Sequence, residues 1–158
     1  LAELWAGPGR TSAAADELCV AVHLLARPAS SGSAYVRLEY RRAMEIAVVG
    51  AAASVTLDGS GAVTDVAVAL TAVAPTILAV TGLAGGAAAD VAAAAEEAAA
   101  TQAMPISDLR ASDRYRRHMV GVMARRAVQL ACLRAAGEVV PVPANRAPQF
   151  GNGIGAAS

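Results

Sequence analysis

Residues 33–70, SAYVRLEYRRAMEIAVVGAAASVTLDGSGAVTDVAVAL, decide the architecture. Over residues 33–41 the side chains alternate, with Tyr35, Arg37, Glu39 and Arg41 on one face and Ala34, Val36, Leu38 and Tyr40 on the other. A period of two places alternate side chains on opposite faces of an extended chain, so this is a strand with one wet face. Residues 46–57 are mostly apolar and run into Asp58-Gly59-Ser60-Gly61, a hairpin connection, after which residues 62–70 return as the next strand. The order is a meander of antiparallel strands.

Working outward, residues 17–25 (ELCVAVHLL) form another apolar run of strand length, and residues 27–32 are a loop by composition. Residues 1–11 contain the turn signal Gly7-Pro8-Gly9 and read as a tail or linker. Downstream, residues 76–83 read as a short helix ended by glycines. Residues 87–103 form an alanine-rich helix with no internal breaker, closed by Pro105. Ser112 is a natural N-cap, and Asp113 stands where the helix dipole favours negative charge. From there Tyr115, Met119, Val122, Met123, Leu130 and Leu133 make an apolar stripe at helical spacing, with Arg114, Arg116, Arg117, Arg125, Arg126 and Arg134 on its flanks. Beyond Gly137 prolines and glycines interrupt any periodicity. Strands first and helices second give an α+β fold, an antiparallel meander covered by a helical layer.

At 158 residues the chain suits one compact domain. Hydrophobic residues make up 56% and charged residues 16%, which excludes a solvated disordered chain. Aromatics are only 3%, so the core must be built from aliphatic residues. The 13 basic and 13 acidic residues cancel, so the surplus of positive charge that a nucleic-acid binder uses on phosphates is missing. Every basic residue other than histidine is arginine, which with the abundant Ala, Val and Gly fits a GC-rich genome. Schiff-base and P-loop lysine chemistry is thereby excluded. Cys19 and Cys132 lie far apart and read as thiols rather than a disulfide, and isolated His23 and His118 offer no zinc site. Residues 66–89 carry no charge, but Pro75, three threonines and three glycines argue for a buried strand and short helix rather than a membrane span. The chain opens on Leu1 with no signal-peptide pattern, so it reads as a piece of something longer.

No motif for a catalytic centre stands out, and no glycine-rich loop is expected to follow a strand and open a helix as a phosphate cradle does. Gly151-Asn152-Gly153-Ile154-Gly155 has no helix after it. Two clusters carry chemistry. On residues 35–42, Tyr35 and Arg37 share a face, offering an aromatic plane beside a guanidinium; a solvated strand face is the bland alternative. In residues 105–117, Asp108 and Arg110 suit a local charge-assisted clamp at the start of the last helix, a cap and docking surface.

These two clusters carry a resemblance. SAYVRLEYRRAMEIAVVGAAASV resembles the opening of the C-terminal domain of the FAD-binding (medium) subunit of molybdenum hydroxylases, the carbon monoxide dehydrogenase and xanthine dehydrogenase family. PISDLRASDRYRRHMVGVMARRAV is similar to that domain's closing Pro-Ile-x-Asp-x-Arg-Gly-Ser motif and Tyr-Arg helix, with Ala111 in place of the glycine. ADELCVAVHL looks like the strand ending the preceding FAD domain, so the likeness runs over residues 16–134. Residues 70–77 depart from the family's Leu-Gly-x-Val-Ala-Pro-Thr-Pro by losing the glycine and the second proline.

The resemblance implies an antiparallel sheet against about three helices, a flavoprotein C-domain-like sandwich. It implies residues 1–32 as a remnant of the FAD domain (strand 17–25) and linker, 33–136 as the α+β domain and 137–158 as a disordered tail. It places Tyr35 and Arg37 near the isoalloxazine, Leu18 and Cys19 on a strand that brushes the flavin, and Asp108, Arg110, Ser112, Tyr115 and Arg116 in structure and docking. It also implies that FAD is held mainly by upstream glycine-rich loops outside this sequence. Molybdopterin and [2Fe-2S] clusters sit in partner subunits, the molybdenum large subunit and the iron–sulfur small subunit. The implied role is part of a cytoplasmic oxidoreductase, inactive alone, that closes the flavin site and docks partners for electron transfer. An orphan scaffold module and a small-ligand domain using the Tyr35/Arg37 face are the other readings.

Overall fold

The structure, a computed structural model, describes residues 2–41 and 44–141. A short 3-10 turn (Ala2–Leu4) leads into a hairpin of β1 (Trp5–Gly7) and β2 (Arg10–Thr11). A four-stranded antiparallel sheet follows in the order β3 (Ser31–Leu38), β4 (Val49–Leu57), β5 (Val63–Thr71) and β6 (Leu78–Val80). Helices α1 (Ala88–Gln102) and α2 (Asp113–Ala135) complete an α+β arrangement.

The turn between β4 and β5 is built by Asp58. Its Oδ1 accepts from Ser60 N at 2.8 Å and Ala62 N at 3.0 Å, and Ser60 Oγ donates to it at 2.7 Å. These bonds, the Ser60 hydroxyl first, hold the carboxyl below its ordinary range. Gly61 takes φ +84°, a left-handed conformation that costs glycine little. In β3, Ala34 and Val36 are buried while Tyr35 is exposed, as the alternation predicts, but the strand ends at Leu38 and Tyr40, expected on the apolar face, is 66% exposed.

Helix α2 lies across β3 and β4, and α1 packs on α2. Contact this close needs small residues. A Cβ at Gly32 would sit 2.1 Å from Ala131 O, and one at Gly121 2.8 Å from Glu96 O. Ala92, Ala95 and Ala99 of α1 and Ala124, Ala127 and Ala131 of α2 are fully buried in one core. The volume comes from Val36, Val49, Val55, Leu70, Met123 and Leu130, each worth about 1.5–3 kcal/mol when fully buried. Ser112 caps α2 by accepting from Tyr115 N at 3.2 Å. At its other end Gly137 (φ +89°) and the bond from Glu138 N to Leu133 O close the helix. Gln102 grips the end of β6, its Oε1 accepting from Thr81 N at 3.0 Å and its Nε2 donating to Thr81 O at 2.9 Å.

Several expectations are corrected. Residues 17–25 form no strand: among the described residues no strand pairs with them, and Leu18, Val20, Leu24 and Leu25 are exposed. An extended segment without a ladder partner leaves its backbone to solvent. Residues 76–83 are not a helix; Leu78–Val80 pairs with β5 instead, Leu78 opposite Leu70 and Val80 opposite Val68. Two α-helices, not about three, are present among the described residues. The tail at residues 5–11 holds a hairpin, and the loop at 27–32 gives Ser31 and Gly32 to β3. The tail expected at 137–158 lies outside the described residues from 142 onward.

Candidate functional site

The sheet has a covered face and an open one. Cross-strand register fixes the open face in rows: Ser33 beside Ser54 and Ala67, Tyr35 beside Ala52, Ala69 and Ala79, Arg37 beside Gly50 and Thr71. Apart from Tyr35 and Arg37 these are small side chains. Ser33, Ala52, Ser54, Ala67, Ala69 and Ala79 floor an open groove of about 480 Å³, also lined by Tyr35 and Arg134.

Tyr35 is 45% exposed yet anchored. Its hydroxyl lies 3.4 Å from Thr71 Oγ1, two strands away. To reach there the ring crosses β4 at Gly50, where an added Cβ would fall 3.2 Å from Tyr35 Cε2 and 2.6 Å from its hydroxyl. Gly50 is therefore buried although it sits on the open face. Arg37, beside it on the same face, pairs with Glu39 at 2.5 Å. Its charge is thus partly compensated. The pairing of Tyr35 with Gly50 and Thr71 was not legible from spacing, because the three lie on three different strands.

Leu18 and Cys19 are not brought to this groove. Leu18 is 88% exposed, and Cys19 Sγ donates to Ala21 O of its own segment at 3.7 Å; neither residue lines the groove.

The second cluster gathers more than expected. Asp108 Oδ1 accepts from Arg110 N at 2.8 Å, Ala111 N at 3.1 Å and Arg116 Nη2 at 2.7 Å, while Oδ2 faces Arg110 Nη1 at 3.4 Å. The Arg116 hydrogen bond, then the Arg110 amide, hold the carboxyl at about 2. Arg116 is not a surface flank: it is 4% exposed and also donates to the Val48 carbonyl. The clamp therefore joins the 104–112 segment, α2 and the approach to β4. Tyr40 Oη donates to Arg110 O on the same segment, and Met104 N donates to Val73 O at 2.8 Å. Tyr115 is 44% exposed, so the buried stripe of α2 runs instead through Arg116, Val120, Met123, Ala127 and Leu130. Around the cluster Ile46, Met104, Ile106 and Leu109 remain exposed.

Because residues 78–80 form a strand, a glycine-containing loop (81–87) does run from a strand into a helix, contrary to expectation. It is not a phosphate cradle. Gly86 N–H and C=O are both bonded to Val63, and a Cβ at Gly85 would strike Val63 O. Among the described residues no cluster of His, Cys, Asp and Glu could hold a metal, and no helix is long and apolar enough to cross a membrane. What the open face can do is accept a flat, largely apolar ring system against a level floor, with a phenol and a guanidinium at one side. A planar ring has room there, and among the described residues no loop cradles a phosphate with its backbone.

The CO dehydrogenase flavoprotein C-terminal domain family matches residues 33–131. Among solved structures, the chain is similar to carbon monoxide dehydrogenase from Hydrogenophaga pseudoflava, in a form lacking the Mo-pyranopterin moiety of its cofactor. There the identity is 30% and the TM-score 0.76, over 84% of this chain and 47% of that one. Reconstituted CO dehydrogenase from Oligotropha carboxidovorans gives 31%, 0.75, 84% and 47% on the same measures. Quinoline 2-oxidoreductase from Pseudomonas putida 86, at 24% identity and a TM-score of 0.61 over 66% of this chain and 38% of that one, is alike in fold alone. Comparison with curated proteins returns no match. The chain spans 47% of each of the two dehydrogenase chains, less than half their length. Its sheet, its closing clamp and the match over 33–131 agree: the chain belongs to the CO dehydrogenase flavoprotein C-terminal domain family, the C-terminal domain of the FAD-binding subunit of molybdenum hydroxylases.

Proposed function

We infer that the chain serves as the C-terminal part of an FAD-carrying subunit, its open sheet face closing the flavin site opposite an upstream pyrophosphate-binding region. The observation that carries this is the level floor of Ala52, Ala67, Ala69 and Ala79 with Tyr35 laid beside it. An uncovered sheet face of small residues leaves room for a planar ring to lie close to the backbone. When bound, the flavin would supply the electron-carrying chemistry. Tyr35 would shield the ring from solvent, and Arg37, moderated by Glu39, would set the local charge. Leu18 and Cys19 enter this reading only if residues 17–25 gain a strand partner from the upstream region.

The exposed apolar residues Ile46, Met104, Ile106 and Leu109 beside the Asp108 clamp support a docking role, with Ser112 and Tyr115 at its margin. The partners in this reading are an iron–sulfur small subunit and a molybdenum large subunit of a cytoplasmic oxidoreductase, to which the flavin passes or from which it receives electrons. The test is the full-length subunit that carries this chain. It should purify with bound flavin, and Tyr35→Ala should lose flavin or expose it to oxygen without unfolding. A full-length subunit that carries no flavin, or a Tyr35→Ala variant indistinguishable from wild type, would favour a non-catalytic scaffold module instead.

A further inference from the structure

A half-exposed tyrosine on an open sheet has several rotamers available, and solvent gives it no reason to choose one. Tyr35 is nonetheless laid across the strand beside it. Its direct neighbour is Ala52, and its diagonal neighbour is Gly50, whose missing side chain leaves the slot that the ring fills. At the far side of that slot stands Thr71, opposite Gly50 on β5, its hydroxyl 3.4 Å from the Tyr35 hydroxyl. A Cβ at Gly50 would also fall 2.5 Å from Thr71 Oγ1, so ring and threonine close on the same point from two sides. Aromatic rings reach diagonal neighbours on a sheet, and a strand glycine marks a close approach.

We propose that Thr71 is a positioning residue: with Gly50 as the slot, its hydroxyl holds the Tyr35 ring down on the sheet as a pre-formed contact for a planar aromatic ligand. Holding the ring in place before binding removes the cost of ordering it during binding. That the ligand is a flavin rests on the reading given above; the latch itself does not. Shielding of Gly50 by an aromatic neighbour would explain the ring without Thr71, and the two accounts separate on the threonine hydroxyl.

The measurement is the Gly50 Hα resonance in this chain without flavin. Ring current from Tyr35 should displace it from its random-coil value, and Tyr35→Ala should remove the displacement. Thr71→Val, which keeps the branched shape but loses the hydroxyl, should move the resonance toward that of Tyr35→Ala. Thr71→Ser should restore it. A Thr71→Val spectrum with the wild-type Gly50 position overturns the latch. In the full-length subunit, Thr71→Val should brighten the flavin fluorescence that a fixed phenol quenches, while Thr71→Ser should not. A wild-type subunit without flavin overturns the ligand assignment alone, and the Gly50 resonance still decides the role of Thr71.

Discussion

Arg116 Nη2 lies 2.7 Å from Asp108 Oδ1, with the arginine 4% exposed. A buried guanidinium is tolerated only where acceptors meet it, and here they are that carboxylate and the Val48 carbonyl. The pair fixes the segment before α2 to the sheet.

Acid should loosen this clamp. Asp108 titrates at about 2 in the folded chain against an ordinary 3.8, so the unfolded chain takes up its proton first as pH falls. The stabilisation is full above about pH 4 and is lost as pH drops toward about 2. Asp113 and Asp58, also lowered by hydrogen bonds, act in the same direction. Asp108→Asn should lower the melting temperature at pH 7, and the gap to wild type should narrow across that acid window. Parallel melting curves from pH 7 to pH 2 would count against the clamp.

Helix α2 should be sensitive to one atom under it. Gly32→Ala places a Cβ against the Ala131 carbonyl and must lift the helix off β3, costing about 1–3 kcal/mol or more. Gly59→Ala, in open space in the turn, should stay within about 0.5 kcal/mol of wild type. Denaturant midpoints of the two variants provide the comparison.

The Arg37–Glu39 pair makes opposite predictions for its two members in the flavin-loaded full-length subunit. Positive charge near the ring favours added electron density, so Arg37→Ala should lower the flavin's reduction potential and Glu39→Gln should raise it. Spectroelectrochemical titration reads both. Equal potentials in all three proteins would reduce this strand to a wall.

The isolated chain should purify colourless, because nothing in the described residues binds a pyrophosphate backbone-first. Exposed Leu18, Val20, Leu24 and Leu25 should also drive self-association. Gel filtration with absorbance at flavin wavelengths tests both; a yellow monomer would contradict them.

Local signals carried most of the fold. Asp58-Gly59-Ser60-Gly61 makes its turn, Ser112 caps α2, and the alanine run before Pro105 is helical, because each depends on residues a few positions away. Residues 78–80 were not legible as a strand, since a short apolar run is settled by its partner, here Leu70 and Val68 on β5. Residues 17–25 have a strand's pattern and no strand partner among the described residues. Arg116 reads as a surface residue by type and is buried because Asp108 and Val48 arrive from elsewhere. Tyr35 was legible as a candidate, but Gly50 and Thr71 were not, since their bearing on it exists only across three strands.

The seam between α1 and α2 has a consequence for how the protein tolerates change over generations. Gly121 comes within contact of Glu96 and Ala100 there, and Ala92, Ala95, Ala99, Ala124, Ala127 and Ala131 of the two helices leave no surface to solvent. A single base change turns an alanine codon into valine, threonine or proline, so a gene rich in alanine codons keeps producing oversized replacements at these positions. Each would overpack the core, and a bulkier residue at Gly121 would wedge the two helices apart. The plainest side chains in the molecule thus form its narrowest mutational target, and a survey of random variants should find that seam less forgiving than the exposed phenol.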